Sequence, residues 1–418
     1  MSNPDVSITA SRKTQTNRDI AKLRYAAHYV SVLVTANQLY LKGGEGVNQG
    51  LILLDVEWRN VESGQAWSTL KRDNTSATEA CINYAVVGAQ ILLLRQHPTD
   101  RVRWIEEALD RAQRLHVQTR EAALWNSLGV AYSDLNQTAR AIECHDQALT
   151  LARASGDLRA QSTALGNLGV AYSDIGQIRR AIDYYEQDLA ILQTISLRRN
   201  ESVTIGNLGL AYAALGEYSR AIKYHKQHLK IARELGDRRG ESAALGHLGN
   251  AYRAMGKPRR ATVLYKHRIA IAREMGDKRG EALVLGNLGL AYADLGEWNR
   301  SIEIYKSQFE IVRKWGDRRT EANALGNLGI AYKNIGLFQR ALDLYEQQLF
   351  IVREIVDRAG QGSALFNMSL ALDQLDQREL AILRAEEALK ILEEIESPYV
   401  KMVRKQLGEW RHTEKTEV

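Results

Sequence analysis

Apolar residues recur three and four positions apart through most of the chain, in runs separated by short polar breaks. This spacing places them on one face of an α-helix. Two such runs follow Gly276, with Gly296 between them. Their apolar positions are Leu285, Leu288, Ala291 and Tyr292 in the first run, and Trp298, Ile302, Tyr305, Phe309 and Val312 in the second. We therefore predict a helix, a glycine turn and a second helix.

The same helix pair returns along the chain at a period of 40 residues. Leu-Gly pairs mark the first helix of each copy, at 128–129, 168–169, 208–209, 248–249, 288–289 and 328–329. Turn residues follow at Asn136, Gly176, Gly216, Gly256, Gly296 and Gly336. A period of about 20–50 residues is typical of a repeat array in which each unit packs on its neighbours.

Glycine and aspartate indicate where the helices end and begin. Gly276 can adopt the left-handed conformation that ends a helix, and Asp277 is a good N-cap for the next one. Gly289 differs because it lies inside a helix, where glycine costs about 1 kcal/mol relative to alanine. Since this glycine recurs in six copies, we predict that the second helix of the unit crosses it and leaves no room for a Cβ.

The composition indicates the helix content and the cellular compartment that we expect for the protein. Only four prolines occur in 418 residues, which suits long uninterrupted helices. Cys81 and Cys144 form no CxxC motif and no disulfide framework, so we expect a reducing, cytoplasmic setting. No apolar run reaches the roughly 20 residues of a membrane helix. The N-terminal segment lacks a signal-peptide pattern, and we expect no membrane partner.

The repeated residues resemble the tetratricopeptide repeat, with Leu-Gly, Tyr three residues later, a turn glycine, a small residue and an aromatic in the second helix. The 40-residue form is similar to the repeats of Pins-type mitotic adaptors, of kinesin light chain and of many bacterial multidomain regulators. This resemblance implies an all-α fold, a right-handed α-solenoid of tandem antiparallel helix pairs.

The predicted repeats occupy the middle and the end of the chain. We predict six units of 40 residues over 122–361 and a divergent seventh unit over 362–401, which loses both glycines. Residues 402–418 are predicted to be a capping helix and tail, because the last unit has no neighbour to cover its apolar face. Residues 82–121 look like a degenerate unit, with Gly88-Ala89 in place of Leu-Gly.

The front of the chain follows a different pattern. Residues 18–81 are predicted to be a helical region, similar to the one that precedes the repeats in bacterial NB-ARC-type signalling proteins. The ATPase of those proteins is absent from the sequence, because GxxxxGK[ST] occurs nowhere. Residues 1–17 are polar, and we expect a disordered tail there.

Motifs for catalysis or metal binding are missing from the sequence. It contains no HExxH, no GxSxG and no GxGxxG after a strand, so we expect no enzyme, no cofactor and no metal. His225 and His228 lie three apart and could share a helix face, as metal ligands do. The packing interpretation is favoured, since His225 takes a slot that is tyrosine in four other copies and His228 a slot that is polar elsewhere.

The resemblance implies that the first helix of each unit lines a concave groove where partners bind. One groove position is asparagine in five of seven copies and reads Ser127, Asn167, Asn207, His247, Asn287, Asn327 and Asn367. An amide offers donors and an acceptor together, so such a row can pair with the backbone of an extended peptide. Alternatively, each asparagine bonds to a neighbouring helix and stiffens the stack, and both roles can hold at once.

One unit departs from the pattern. His247, Asn250 and Arg253 depart from the common residues of their groove positions, and Lys333 is the second cation at the position of Arg253. The surrounding segment, 242–281, has nine Lys and Arg against three Asp and Glu. Such a patch suggests an acidic partner, although a basic helix can also be a solvated face.

Together these features predict a protein-interaction scaffold or sensor that binds a peptide segment of a partner protein in the groove. The predicted site consists of Asn167, Asn207, His247, Asn250, Arg253, Asn287, Asn327, Lys333 and Asn367. One alternative is a detached recognition subunit of a bacterial signalling or defence system that acts with a separate effector. A less favoured alternative is nucleic-acid binding through 242–281, because aromatic residues occupy core positions instead of alternating with the positive charge. The partner's identity and the oligomeric state stay open.

Overall fold

The computed structural model describes residues 4–42, 44–71 and 73–414. Within these residues the chain forms twenty α-helices and no strand, which confirms the all-α class. The helices are α1 (Pro4–Lys42), α2 (Glu45–Leu70), α3 (Thr75–Val87), α4 (Ala89–Leu92), α5 (Pro98–Arg114), α6 (Gln118–Asp134), α7 (Thr138–Ser155), α8 (Leu158–Asp174), α9 (Ile178–Thr194), α10 (Arg198–Ala214), α11 (Tyr218–Glu234), α12 (Arg238–Ala254), α13 (Pro258–Glu274), α14 (Lys278–Asp294), α15 (Trp298–Trp315), α16 (Arg318–Asn334), α17 (Phe338–Glu354), α18 (Arg358–Asp373), α19 (Arg378–Glu394) and α20 (Val400–Glu414).

The helices fall into two compact units, residues 1–215 and residues 216–418. We call them unit 1, with α1 to α10, and unit 2, with α11 to α20. From α6 to α19, the even-numbered helices are A helices, which carry the Leu-Gly pair or its equivalent, and the odd-numbered ones are B helices. Within each unit, consecutive helices pack side by side, so the predicted solenoid of tandem helix pairs is confirmed.

Turns between the helices use the predicted residues. Gly296, between α14 and α15, has a φ of 72°, and Asn136 takes the same left-handed conformation in the first copy with a φ of 57°. Asp277 caps α14, since its Oδ1 accepts a hydrogen bond of 2.8 Å from the backbone N–H of Gly280. Asp357 caps α18 in the same way behind Val356, although valine stands where other copies have glycine.

In α6, α8, α12, α14 and α16, the glycine of the Leu-Gly pair lies against a ring from the B helix of the same pair. An ideal Cβ on Gly289 would lie 2.4 Å from Cε1 of Tyr305, and an ideal Cβ on Gly249 would lie 2.4 Å from Cε1 of Tyr265. These tyrosines are almost fully buried between the helices. The predicted close crossing is therefore confirmed, and its cause is an aromatic ring that occupies the space of a Cβ.

The first three helices form a helical region before the repeats. Tyr84 of α3 is fully buried, and its hydroxyl donates a hydrogen bond of 2.9 Å to the carbonyl oxygen of Ala26 in α1. Gly64 of α2 lies against the same hydroxyl, which would stand 2.1 Å from an added Cβ. Helix α1 begins at Pro4, so residues 4–17 are helical and the expected disordered tail is wrong there, while residues 1–3 lie outside the described residues.

Two predicted boundaries differ from the helices that the structure describes. The predicted start of the degenerate unit, residue 82, falls inside α3, because α3 packs against both α1 and α5 and belongs to both regions. The C-terminal helix α20 begins at Val400, just before the predicted 402–418 segment. It buries Val403, Leu407 and Trp410 in a core shared with α18 and α19. Residues 415–418 lie outside the described residues.

Among the described residues, no helix is both long enough and apolar enough to cross a membrane. Cys81 and Cys144 are buried and free.

Candidate functional site on the A helices

Seven of the nine predicted site residues lie in unit 2, on α12, α14, α16 and α18. We call the surface that they form the A face of unit 2, and its members are His247, Asn250, Arg253, Asn287, Asn327, Lys333 and Asn367. All are half-buried except Asn250, which is exposed. Half-buried polar groups of this kind keep part of their hydrogen-bonding capacity towards solvent or a ligand.

A polar cluster joins α12 to α14 on this face. The Oδ1 atom of Asn250 accepts a hydrogen bond of 2.7 Å from the hydroxyl of Tyr265 and a longer one, 3.4 Å, from the Nδ2 group of Asn287. Nε of Arg253 donates to Oδ2 of Asp294 at 2.6 Å. The four polar residues on the A helices, which are Asn250, Arg253, Asn287 and Asp294, line a depression of about 340 Å³. The sequence prediction missed Asp294, which lies 41 residues after Arg253 and therefore in the next 40-residue repeat.

The ion pair changes the interpretation of Arg253. The sequence predicted a cation available to a partner, whereas the structure gives it a carboxylate from its own chain. Both side chains remain accessible, with 33% of the Arg253 side chain and 42% of the Asp294 side chain exposed. An ion pair with this much exposure contributes about 0–1 kcal/mol. A ligand carboxylate can therefore compete with Asp294 at small cost.

The half-buried His247 contacts the buried His225 of α11. Its ring stacks on the ring of His225, with centroids 5.1 Å apart and an angle of 24° between the planes. Burial, helped by the nearby Arg268 guanidinium, lowers the pKa of His247 to about 4, and burial lowers the pKa of His225 to about 3. Both rings are therefore neutral near pH 7. Among the described residues, no group of three or more His, Cys, Asp or Glu could hold a metal ion.

The slot that contains His228 in α11 contains glutamine in two later B helices. Gln308 and Gln348 occupy it in α15 and α17 and lie against Gly286 and Gly326 of the A helices. Both glutamines are buried, and their Oε1 atoms accept no hydrogen bond from any described residue. Acceptors without a partner therefore lie directly beneath the A face of unit 2.

Lys333 and the remaining asparagines complete the face. Burial lowers the pKa of Lys333 from its ordinary value. Asn327 and Asn367 are half-buried at the equivalent positions of α16 and α18. The structure thus places the predicted row on one side of consecutive A helices in unit 2.

The two site residues in unit 1 behave differently. Nδ2 of Asn167 donates a hydrogen bond of 2.8 Å to Oδ1 of Asn126, and that oxygen also lies 3.0 Å from Nδ1 of His145. Asn167 therefore links α8 to α6, which is the stiffening role that the sequence left open. Asn207 is half-buried on α10. Asn126 was missed because it stands one position before the asparagine row.

Three of the nine cations in the basic segment 242–281 pair with carboxylates. Arg273 and Lys278 both donate to Glu281, at 2.5 Å and 3.0 Å, and Arg253 pairs with Asp294. The carboxylate of Glu281 is almost fully buried, and its pKa is lowered because these two cations outweigh the effect of burial. The excess of positive charge in the sequence therefore does not correspond to an equally large open patch.

These tandem helix pairs define a helical repeat protein. The family model described as Tetratricopeptide repeat matches residues 119–194, 201–274 and 280–349. The matches together span just over half of the chain, so the chain belongs to the tetratricopeptide repeat family. No curated protein sequence matches the chain.

Several solved structures share the fold. A Signal Transduction ATPase with Numerous Domains from Pyrococcus horikoshii, with a tetratricopeptide repeat sensor, is 14% identical at a TM-score of 0.61, and the match covers 92% of this chain and 60% of that protein. The apo quorum sensor NprR from B. thuringiensis is 13% identical at a TM-score of 0.58, over 90% of this chain and 99% of that one. Aspartyl phosphate phosphatase F from Bacillus subtilis is 11% identical at a TM-score of 0.52, over 79% of this chain and 94% of that one. At these identities the likeness concerns the fold alone.

Proposed function

We propose that this protein is an interaction sensor or scaffold that binds an extended peptide segment of a partner protein on the A face of unit 2. The observation that carries the proposal is the depression formed by Asn250, Arg253, Asn287 and Asp294. Four other copies have leucine or isoleucine at the position of Asn250, so this repeat has exchanged an apolar groove residue for an amide. An amide on an accessible groove can hold a peptide group with a donor and an acceptor.

The ion pair between Arg253 and Asp294 supports an acidic partner. An acidic side chain of the peptide would take the place of Asp294 on Arg253, and a charge-assisted hydrogen bond of this kind is among the stronger polar contacts. Lys333 supplies a second cation on the same face, two 40-residue repeats further along the chain. We therefore propose a peptide with acidic residues, which agrees with the expectation from the sequence.

Two of the solved neighbours support a sensor role, because one is named a quorum sensor and another carries a tetratricopeptide repeat sensor. The second neighbour also favours the alternative function. In this alternative the chain would be a recognition subunit that acts with a separate effector, and what supports it is the match to 60% of an ATPase that carries a tetratricopeptide repeat sensor. Purification of the tagged protein together with a distinct ATPase from the native host would support this alternative.

The proposal is tested by selection from a display library of random twelve-residue peptides on the immobilised protein. We expect selected peptides that are enriched in Asp and Glu, and we expect the enrichment to disappear on the variant His247→Ala, Asn250→Ala, Arg253→Ala. Peptides without acidic residues that bind the variant as well as the wild type would contradict the proposal. Retention of single-stranded oligonucleotides, lost on Arg259→Glu with Arg260→Glu, would support the nucleic-acid alternative.

A further inference from the structure

Unit 1 contains a partly open cavity between α3, α4, α5, α6 and α8, far along the sequence from the A face of unit 2. Its volume is about 240 Å³. The apolar part of its wall is formed mainly by Leu92, Trp104, Ile105 and Val130. An apolar cavity of about 150 Å³ accepts a benzene molecule. This one is therefore large enough for a ring or a branched side chain together with a small polar group.

Arg101 of α5 lines this cavity and is 4% exposed. Its Nη2 group donates to Asp134, but Nε and Nη1 are buried and have no hydrogen-bond partner in the part of the chain that the structure describes. Buried donors of a guanidinium are costly to leave unpaired. Two donors of a positive group are thus available at the wall of an apolar cavity.

Gln96 offers the complementary group. It lines the same cavity, is 6% exposed, and its Oε1 atom accepts no hydrogen bond from any described residue. No Asp or Glu belongs to the wall, whose remaining polar members are amides and hydroxyls such as Asn126 and Asn167. The cavity therefore favours a ligand with a negative group for Arg101, an N–H donor for Gln96 and an apolar body.

We propose that the cavity binds an apolar α-amido carboxylate. The carboxylate accepts hydrogen bonds from Nε and Nη1 of Arg101, the adjacent amide N–H donates to Oε1 of Gln96, and the side chain packs against Trp104 and Ile105. Two sources carry this chemistry, a free N-acylated amino acid and the last residue of a peptide. The site lies wholly in unit 1 and goes beyond the proposed function, because it does not depend on peptide binding in unit 2.

Isothermal titration with the full-length protein tests the proposal. The probes are N-acetyl-L-phenylalanine and N-acetyl-L-leucine, with N-acetyl-L-phenylalaninamide as the probe that lacks the carboxylate. We expect at least one acid to bind and the amide to bind at least tenfold more weakly. A hexapeptide that ends in a free phenylalanine identifies the source. Binding at least tenfold tighter than that of the free acid assigns the site to a peptide terminus, and equal or weaker binding assigns it to a small acid.

Variants locate the binding. Arg101→Met should abolish binding of the acid, whereas Arg111→Met should preserve it, because Arg111 is an equally buried arginine of α5 that does not line the cavity. If Arg101→Met does not fold, as judged by circular dichroism, Val130→Trp fills the cavity while leaving Arg101 in place and should also abolish binding. The proposal is overturned if neither acid binds the wild-type protein, or if binding persists in whichever of these cavity variants is folded.

Discussion

The ring of Tyr305 lies where the side chain of residue 289 would otherwise be. Cε1 of Tyr305 is 2.4 Å from the position of an ideal Cβ on Gly289, a distance that real Cβ atoms essentially never show. The hydroxyl group of Ser301, on the same B helix, donates a hydrogen bond of 2.9 Å to the carbonyl oxygen of Gly289. The A and B helices of the pair are thus held at a separation that only glycine allows.

Gly289→Ala should destabilise the protein by about 1–3 kcal/mol, because the added methyl group forces the buried Tyr305 ring or its helix to move. Chemical denaturation measures the change. The matched control is Gly408→Ala in α20, where nothing lies within 4 Å of an added Cβ. That substitution should stabilise by up to about 1 kcal/mol through helix propensity alone. Equal effects of the two substitutions would show that no close crossing exists at Gly289.

Removal of the N-cap of α14 should destabilise the protein independently of Gly289→Ala and by a smaller amount. Asp277→Ala deletes the hydrogen bond to the backbone N–H of Gly280 and should cost about 1 kcal/mol. Asp277→Asn should retain most of the stability, since the amide oxygen can accept the same bond. The midpoint of urea unfolding distinguishes the two variants, and identical losses in both would contradict a capping role.

Buried histidines should make the protein less stable as the pH falls below about 6.5. The pKa values of His145, His225 and His247 are lowered to about 4, 3 and 4 by burial, whereas an unfolded histidine titrates near its ordinary value of about 6.5. The unfolded chain therefore binds more protons between these pH values. Each histidine contributes its full stability above pH 6.5 and loses about 1.4 kcal/mol per pH unit as the pH drops further.

The substitution His225→Tyr tests this dependence, because tyrosine occupies the equivalent slot in four other copies. Between pH 7 and pH 5 the variant should lose about 2 kcal/mol less stability than the wild type. Denaturant unfolding at several pH values gives the slope. A variant whose stability falls as steeply as that of the wild type would mean that His225 is protonated in the folded protein.

Deletion of a whole repeat should leave a folded protein. Removal of residues 282–321 joins Glu281 to Ala322, two equivalent junctions of the 40-residue period, and keeps the alternation of A and B helices. Because repeat units contact their neighbours, the shorter chain should retain its helical circular dichroism signal with a lower melting temperature. The control deletion, residues 282–301, removes most of the A helix α14, so that the B helices α13 and α15 follow each other, and it should unfold or aggregate. Equal behaviour of the two deletions would contradict a modular array.

The repeat pattern determined most of what could be predicted about the fold. The turn glycines, the cap at Asp277 and the close contact at Gly289 all follow from local rules that act within one unit, so 40-residue self-similarity was enough to find them. Residues 4–17 were predicted wrongly, because their polar composition carries no sign that they continue α1.

The candidate site was harder to predict from the sequence, because its chemistry depends on contacts between successive 40-residue repeats. Arg253 was recognised as exceptional, but its pairing with Asp294 requires the two A helices to be adjacent at a specific register. Arg101 gave no signal at all, since nothing in its local sequence shows that an arginine on an amphipathic helix is buried against a cavity.

Removal of the competing carboxylate offers a sensitive test of the A face. Asp294→Asn frees Arg253 from its ion pair while keeping the size of the side chain. An acidic peptide selected on the wild-type protein should therefore bind this variant more tightly, by a factor of roughly two to five if the exposed pair contributes less than about 1 kcal/mol. Fluorescence anisotropy of the labelled peptide measures the change, and weaker binding would show that Asp294 itself holds the peptide.

The central claim, that the A face of unit 2 binds a peptide, is tested most directly by isothermal titration of one selected peptide against two variants at two salt concentrations. The triple variant His247→Ala, Asn250→Ala, Arg253→Ala removes polar groups from the face, and Arg259→Glu with Arg260→Glu reverses two exposed charges on α13. We predict that the triple variant loses at least tenfold in affinity, since one charge-assisted hydrogen bond contributes about 1.5–3 kcal/mol, while the charge reversal changes affinity less than threefold. A triple variant that binds like the wild type, beside a charge-reversal variant that does not bind, would contradict the account.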